Sequence, residues 1–501
     1  MQQLAAELVR RAADEPDAVA VIDDAGVHTV AEIVEHAGEL AEVFDRELGG
    51  SPTVLVQADN SWRTLAAAVA VGLRGGFLAV FSRQAAASEF RFALDDVAPD
   101  IVVADDPVFR QWTSDGAHER FPRRARALGD WVVASADGPP GDVTRWRGGS
   151  LAAQTSGSTG RPKCVVHSES SLTYAGSCTI DAVGLRLGDR VAALVPLSSV
   201  AAACFGMYLP ARNGFPMVCL NKWSPDVALE LLREHEVAWT MLVPTMALQL
   251  SIQDGAEGAL RSLRAMTVGG GPMDAGALER AERTLGTTIL RVFGMSECLG
   301  HTTPHPSDPP EIRLGRDGRP FPGTTVRAVD DEGRVCAPGE VGAGQVKGPS
   351  LFLGYARDGA PTPPELTDDG FLPTGDLLEV GADGTVMVRG RQKQMIIRGG
   401  RNIDINEVEA AVARMPQASQ VCVVPVPDEL LGERVAALVV SEAGGLGLAD
   451  VTEFLASTGF PKNKWPEFVF SVPELPLNRV GKLSRADAIA LATQLAREKQ
   501  T

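Results

Sequence analysis

Between residues 50 and about 300, short uncharged apolar runs alternate with stretches in which apolar side chains recur every three or four positions. The first pattern is that of buried strands, the second that of helices with one buried face. Residues 53–57 and 77–81 read as strands, and 61–73 between them as a helix closed by Gly75-Gly76. Residues 101–104, 239–243, 265–268 and 288–293 are further β-rich runs, with helical segments such as 226–236 between them. Alternation of this kind predicts α/β layers around mostly parallel sheets. At the amino terminus, Leu4, Leu8 and Ala12 stand between charges, which reads as a short amphipathic helix. A secretory leader would need an unbroken apolar core instead.

The texture changes after about residue 320. Residues 325–329 and 334–336 flank a polar turn in a hairpin-like arrangement, and Gly and Pro are frequent through residue 374, so a smaller β-rich subdomain is expected. Beyond Arg391 the pattern reads strand 395–398, helix 405–415, strands 421–426 and 434–441, helix 448–457 and strand 467–472. Asp404, followed by Glu407, supplies a start for the first of these helices. This last stretch, of about 110 residues, is large enough to be a domain. The expected organisation is an N-terminal domain, 1–390, of layered α/β sheets with a β-rich subdomain, and a small α+β C-terminal domain, 391–501.

Composition narrows the function. Apolar residues make up 45 % and charged residues 22 %, and 47 basic against 64 acidic residues leave a net charge of −17. Such a surface argues against nucleic-acid or anionic-membrane partners but leaves room for a local basic pocket around one nucleotide. Residues 191–211 carry no charge and are long enough to span a bilayer. Pro196, Ser198, Ser199, Gly206 and Pro210 within them favour a buried strand followed by a buried helix. The seven cysteines are scattered, without a Cys-x-x-Cys pair, as reduced core residues are, so no zinc site is expected and a reducing cytoplasm is the expected location.

The chemistry begins at Thr155-Ser-Gly-Ser-Thr-Gly-Arg-Pro-Lys163, between two apolar runs. Its hydroxyls and glycines let O–H and N–H groups turn toward an anion, and Arg161 and Lys163 add positive charge, which suits a triphosphate. It is not a Walker-type P-loop: Gly157 and Gly160 are too close, and Pro162 blocks the helix that would follow. A flexible Ser/Gly linker would look the same in isolation.

Further segments follow in order: Val268-Gly-Gly-Gly-Pro272, Val292-Phe-Gly-Met-Ser-Glu297, Thr374-Gly-Asp376, Gly390-Arg391, Arg398-Gly-Gly400 and Asn478-Arg-Val-Gly-Lys482. Together, over about residues 10–490, they resemble the acyl-adenylate-forming superfamily of acyl- and aryl-CoA synthetases, peptide-synthetase adenylation domains and luciferases. The resemblance implies ATP and Mg²⁺ as cofactors, and an acyl-AMP intermediate formed with release of pyrophosphate. Thr155, Ser156, Gly157, Ser158, Thr159, Gly160 and Lys163 would hold the phosphates. Gly270, Gly271, Pro272, Phe293, Gly294 and Met295 would line the base and acyl side, with Phe293 against the adenine. Ser296, where the family usually has Thr, would bond the α-phosphate, and Glu297 would ligate Mg²⁺ as a hard oxygen donor. Asp376 would accept from the ribose hydroxyls, assisted by Arg391. Lys482 would bridge the attacking carboxylate and the α-phosphate. Lys393 would be the hinge about which the C-terminal domain swings, bringing Arg398, Gly399 and Gly400 to the site for thiol transfer. Taken singly, Phe293 is an ordinary core aromatic, Glu297 and Lys482 surface charges, and Asp376 a turn residue.

Departures from the family fall in the acyl pocket, where Ser199, Ala202, Ala203, Gly269 and His301 are the expected lining. Ser199 stands at the histidine of the Pro-Leu-x-His pattern of many CoA synthetases, leaving His301 as a substitute. No aspartate lies within 196–206 to pair an α-ammonium, so a standard α-amino acid is disfavoured. The small residues suit a medium-sized apolar, alicyclic or aromatic acid. The chain ends soon after Lys482, so the acceptor is expected to be external: CoA, the phosphopantetheine of a separate carrier protein, or an amine. A dinucleotide oxidoreductase lacks its Gly-x-Gly-x-x-Gly context here. A non-catalytic nucleotide sensor would be expected to lack Glu297 or Lys482, and both are present.

Overall fold

A computed structural model of the chain describes residues 1–155, 162–271, 273–391, 395–398, 401–428, 431–441, 445–478 and 483–500, without the side chains of 395, 397, 401, 402 and 500. It divides into two compact units, Met1–Thr325 with Val346–Leu372, and Val326–Gln345 with Pro373–Thr501.

Among the described residues of the first unit lie two nine-stranded sheets. One has a parallel centre, Met217–Cys219, Val191–Ala193, Trp239–Leu242, Ala265–Gly269 and Ile289–Met295, followed by antiparallel Cys298–Thr303. The other carries Gly354–Arg357, Lys163–Ser168, Gly149–Thr155, Phe77–Phe81, Thr53–Gln57 and Ile101–Ala104 in neighbouring positions. Strands covered on both faces are apolar along their length, which is why Phe77–Phe81, Ile101–Ala104 and the Val54–Val56 centre of Thr53–Gln57 are continuous apolar runs, and all three strands are buried throughout. Residues 191–211 form a strand and then a helix, Val200–Ala202 continuing as a π-helical turn, Ala203–Tyr208, and Leu209–Asn213. No helix among the described residues is long and apolar enough to cross a membrane.

Asn60 ties the two sheets together. Placed just beyond Thr53–Gln57 and 3 % exposed, it donates to the carbonyls of Ala193 (2.8 Å) and Leu220 (3.0 Å) and accepts from Leu197 N (3.0 Å). The Ala193 carbonyl also accepts from Leu220 N (3.2 Å), so Asn60 adds a second donor at the point where two neighbouring strands of that sheet end.

In the second unit a four-stranded sheet, Thr325–Val329, Val341–Lys347, Leu372–Val380 and Val386–Arg391, has its outermost residues assigned to the first. The 325–329 strand meets 334–336 only through a bridge, Val329 to Val335. A five-stranded sheet follows, centred on Gly432–Val440. Val435, Ala437 and Val439 face one core with helices Ile405–Ala413 and Leu448–Ser457. Ala436 and Leu438 face the other, against Ala488, Ala492 and Ala496 of helix Arg485–Gln500. Period-two alternation with apolar residues on both faces produces the unbroken run. Asp404 caps Ile405–Ala413 through Asn406 N (2.8 Å), while Glu407 pairs with Lys464 (2.6 Å) instead of closing a capping box. Arg485 and Glu409 form a largely buried ion pair at 2.8 Å, and Glu409 also accepts from Val423 N.

Candidate active site

In open α/β sheets, ligands bind beyond the carboxyl ends of the strands. Two adjacent parallel strands, Ala265–Gly269 and Ile289–Met295, run in register with Gly269 opposite Val292, and end in the glycine run and in Ser296-Glu297. Gly269 has no room for a side chain: a Cβ would sit 2.7 Å from Val292 Cγ2. Gly270 has φ +81°, a conformation natural to glycine, and both it and Gly271 are exposed.

Ser296 and Glu297 are the two-residue turn between Ile289–Met295 and Cys298–Thr303. Tight hairpins usually have positive φ at a turn residue, but neither of these does. Contacts from elsewhere hold the turn. The carbonyl of Ser296 accepts from His167 Nε2 (2.8 Å), and that of Glu297 from Phe352 N (2.9 Å). Leu353 N then bonds Val166 O (2.8 Å), so residues 350–355 stitch the turn to Lys163–Ser168 of the other sheet. On that stitch, the Tyr355 hydroxyl donates to Glu297 Oε1 (2.6 Å).

Thr155 and Lys163 are opposed ends of the antiparallel strands bounding the hydroxyl-rich loop, and Thr155 Oγ1 donates to Lys163 O (3.2 Å). Lys163 is exposed, its Nζ lying 4.7 Å from the centre of the Tyr355 ring. Ser156, Gly157, Ser158, Thr159, Gly160, Pro272, Lys393, Gly399, Gly400 and Lys482 lie outside the described residues.

The acyl segment has its own constraints. The Ser199 hydroxyl accepts from Ala202 N (3.2 Å), capping the helix that begins at Val200. Ala202, Phe205 and Gly206 line a narrow cavity with Ala193, Val195 and Trp239; Ala203 is buried outside that lining. The π-helical turn widens the helix at this point, a device frequent at functional sites. Gly300 packs against Phe205, and a Cβ there would lie 2.8 Å from Phe205 Cζ.

His301 is fully buried and edge-on to Phe293, with ring centres 4.5 Å apart. Burial lowers its pKa to about 4, so it is neutral at pH 7. Nδ1 lies 3.0 Å from the Cys298 carbonyl, which can only accept, so the ring proton is on Nδ1. Nε2 is therefore a bare lone pair, buried, with no hydrogen-bond partner among the described residues.

In the second unit, Asp376 is 2 % exposed and its Oδ1 lies 2.9 Å from Nε of Arg391, its cross-strand partner. Thr374 Oγ1 accepts from Asp376 N (3.1 Å) and donates to Gly344 O (3.1 Å), which fixes the Thr-Gly-Asp bend. Arg398 pairs with Glu467 within the same unit.

Glu297 fits a divalent cation that brings most of its own ligands. It is a hard carboxylate with one oxygen engaged by a phenol, and no cluster of three or more His, Cys, Asp or Glu able to hold a metal occurs among the described residues. That donor set suits Mg²⁺ held by one carboxylate, phosphates and water. His167, Phe352 and Tyr355 were not legible as site residues in the sequence; the Gly354-Tyr355 step after an apolar run was the available signal for the last.

The chain was also compared with known proteins. The sequence profile described as AMP-binding enzyme matches residues 8–356, and that of the AMP-binding enzyme C-terminal domain matches residues 407–482. The chain is 30 % identical over 503 residues to a salicylyl-CoA synthase / salicylate adenylyltransferase of Streptomyces sp, covering 94 % of this chain and 90 % of that protein. It is 34 % identical over 345 residues to pyochelin synthase PchD of Pseudomonas aeruginosa, a match spanning 68 % of this chain and 62 % of PchD. The crystal structure of ATP-bound MatB from Rhodopseudomonas palustris superposes with a TM-score of 0.85 at 25 % identity, covering 99 % of this chain and 100 % of MatB.

Proposed function

The chain belongs to the AMP-binding enzyme family, and from that premise we propose that it activates a hydroxylated aryl acid as its acyl adenylate and passes the acyl group to a thiol. The observation that carries this reading is the meeting of Gly269–271, Ser296 and Glu297 at one carboxyl edge, stitched to the strand that begins at Lys163. In the first step a carboxylate oxygen of the acid bonds to the α-phosphorus of ATP, and the bond to the bridging oxygen breaks, releasing pyrophosphate. Lys163 and the hydroxyl-rich loop would hold the departing phosphates, and Ser296 would donate to the α-phosphate. Asp376 would accept from the ribose hydroxyls, and Lys482 would sit between the two approaching anions. Bound Mg²⁺, held by Glu297, would neutralise triphosphate charge. In the second step a thiol sulfur attacks the acyl carbon, the bond to the phosphate oxygen breaks, AMP leaves, and the thiol proton goes to solvent.

His301 supports the choice of acid. A buried imidazole lone pair is costly unless a ligand supplies an O–H or N–H. The salicylate relative acts on an aryl acid with a hydroxyl next to its carboxylate, and the absence of an aspartate in 196–206 disfavours an amino acid. CoA is the preferred acceptor, with a carrier-protein arm as the alternative. Pyrophosphate exchange into ATP, run over paired hydroxylated and deoxy aryl acids with alicyclic and fatty acids alongside, tests the reading. Exchange should be fastest with a hydroxylated aryl acid, and adding CoA should yield the thioester by mass. Exchange with none of these acids, or fastest with the deoxy members, would refute it.

A further inference from the structure

The segment Leu353-Gly354-Tyr355 is outside every motif that defines the site, yet its tyrosine touches two of them. Tyr355 lies on Gly354–Arg357, antiparallel to Lys163–Ser168 and opposite Val165. Lys163, two residues along, shares the same face, and diagonal neighbours on adjacent strands are within reach of a long side chain. Its ammonium lies 4.7 Å from the ring centre, a cation–π distance. The phenol donates 2.6 Å to Glu297 Oε1, and Phe352, which bonds the Glu297 carbonyl through its N–H, packs edge-on to the same ring at 4.9 Å. A carboxylate can only accept and a phenol carries its proton at neutral pH, so Tyr355 is the donor. Gly354 has φ +141°, and a Cβ there would lie 1.8 Å from Thr362 O, so the backbone before Tyr355 has no latitude.

We propose that Tyr355 is a positioning residue that holds Glu297 Oε1 so that Oε2 faces the divalent cation arriving with the triphosphate. The proposal rests on the reading of Glu297 as the metal ligand. A free carboxylate in a hairpin turn samples several rotamers, and fixing one oxygen leaves a single acceptor direction. The same hydrogen bond withdraws little charge, because the phenol remains neutral. Partners of this kind, one step removed from a metal, are typically worth about 10–100-fold in metal affinity.

The test measures nucleotide binding without turnover. Isothermal titration of ATP, in EDTA and in saturating Mn²⁺, gives the factor by which metal tightens nucleotide binding. Tyr355→Phe should reduce that factor about tenfold or more, with metal-free ATP affinity unchanged. Glu297→Gln should abolish it; if that variant retains the full factor, the metal-ligand reading fails. If Glu297→Gln abolishes the factor and Tyr355→Phe leaves it intact, the Tyr355 proposal alone fails. Equal weakening of metal-free and metal-bound ATP by Tyr355→Phe would mark a merely structural role and overturn it as well. Should Tyr355→Phe not fold, 3-fluorotyrosine placed at 355 keeps the shape and strengthens the donor. It should change the metal-dependent factor alone, and a change confined to metal-free ATP binding would overturn the proposal.

Discussion

His167 Nε2 donates to the carbonyl oxygen of Ser296 at 2.8 Å, joining the end of one sheet's strand to the Ser296-Glu297 turn of the other. The imidazole is fully buried and neutral, with Nδ1 3.1 Å from the Ser171 hydroxyl. Since the Ser296-Glu297 turn lacks the φ values that stabilise tight hairpins, this donor, with Phe352 N on the next carbonyl, holds the turn in place. His167→Phe should slow acid-dependent pyrophosphate exchange on the order of ten- to a hundredfold, because displacements of about an ångström cost that much. His167→Gln can place an amide N–H near the same point and should recover most of the rate. Equal loss in both variants would show that the ring's bulk, not its hydrogen bond, is what the turn needs.

The buried histidines also set a pH dependence of stability. Burial lowers both His167 and His301 from 6.5 to about 4. Between those values the unfolded chain binds protons that the native chain refuses, so stability must fall as pH falls. The contribution is fully present above about pH 6.5 and is lost on descending toward 4. Melting midpoints measured at pH 7.5, 6 and 5 should drop through this window, and the double variant His167→Gln, His301→Gln should show a shallower drop. An unchanged slope in the double variant would assign the pH dependence to other groups.

What could be read beforehand follows from how each feature is encoded. Strands buried on both faces, such as Phe77–Phe81 and Ile101–Ala104, announce themselves as apolar runs and match to the residue. The helix Arg485–Gln500 does not, because its buried stripe is Ala488, Ala492 and Ala496, and alanine contrasts weakly with a polar face. The strand Arg123–Ala127 is an arginine-rich sheet edge, where charge protects unpaired backbone and hides the strand pattern. At the site, Ser296 and Glu297 were found as a local motif. His167 and Tyr355 act across 129 and 58 residues of chain, a relation that no local spacing carries. The His301 tautomer was likewise invisible, since it depends on which atom a folded carbonyl faces.

That tautomer predicts a change of substrate preference. Asparagine at 301 can still donate to the Cys298 carbonyl but offers no acceptor at the position of Nε2, whereas glutamine reaches that position. His301→Asn should lose the preference for a hydroxylated over a deoxy aryl acid, by roughly ten- to a hundredfold in kcat/KM, the value of a buried hydrogen bond left unmade. His301→Gln should retain part of it. The measurement is the ratio of kcat/KM for the paired acids; a ratio unaffected by His301→Asn would place the hydroxyl elsewhere.

The two proposed half-reactions place different demands on charge, which gives Lys482 and Lys393 separate tests. Adenylation brings a carboxylate against a polyphosphate, and negative charge grows on the pentacovalent phosphorus, so a cation there stabilises the transition state more than the ground state. Thiolysis of a finished adenylate attacks an acyl carbon and has no need of that cation. Lys482→Ala should therefore lower pyrophosphate exchange by about 10²–10³-fold, as removal of one such donor does. Thioester formation from supplied acyl adenylate should stay within a fewfold of the parent. Lys393→Pro, which stiffens the proposed hinge, should do the reverse, sparing exchange and slowing thioester formation. Both rates can be followed on one preparation, by labelled pyrophosphate exchange and by thioester mass after mixing with adenylate and CoA. If Lys482→Ala slows both steps equally, the lysine serves the fold or the nucleotide in general. If Lys393→Pro slows both equally, a domain rotation between the steps is not what that residue provides.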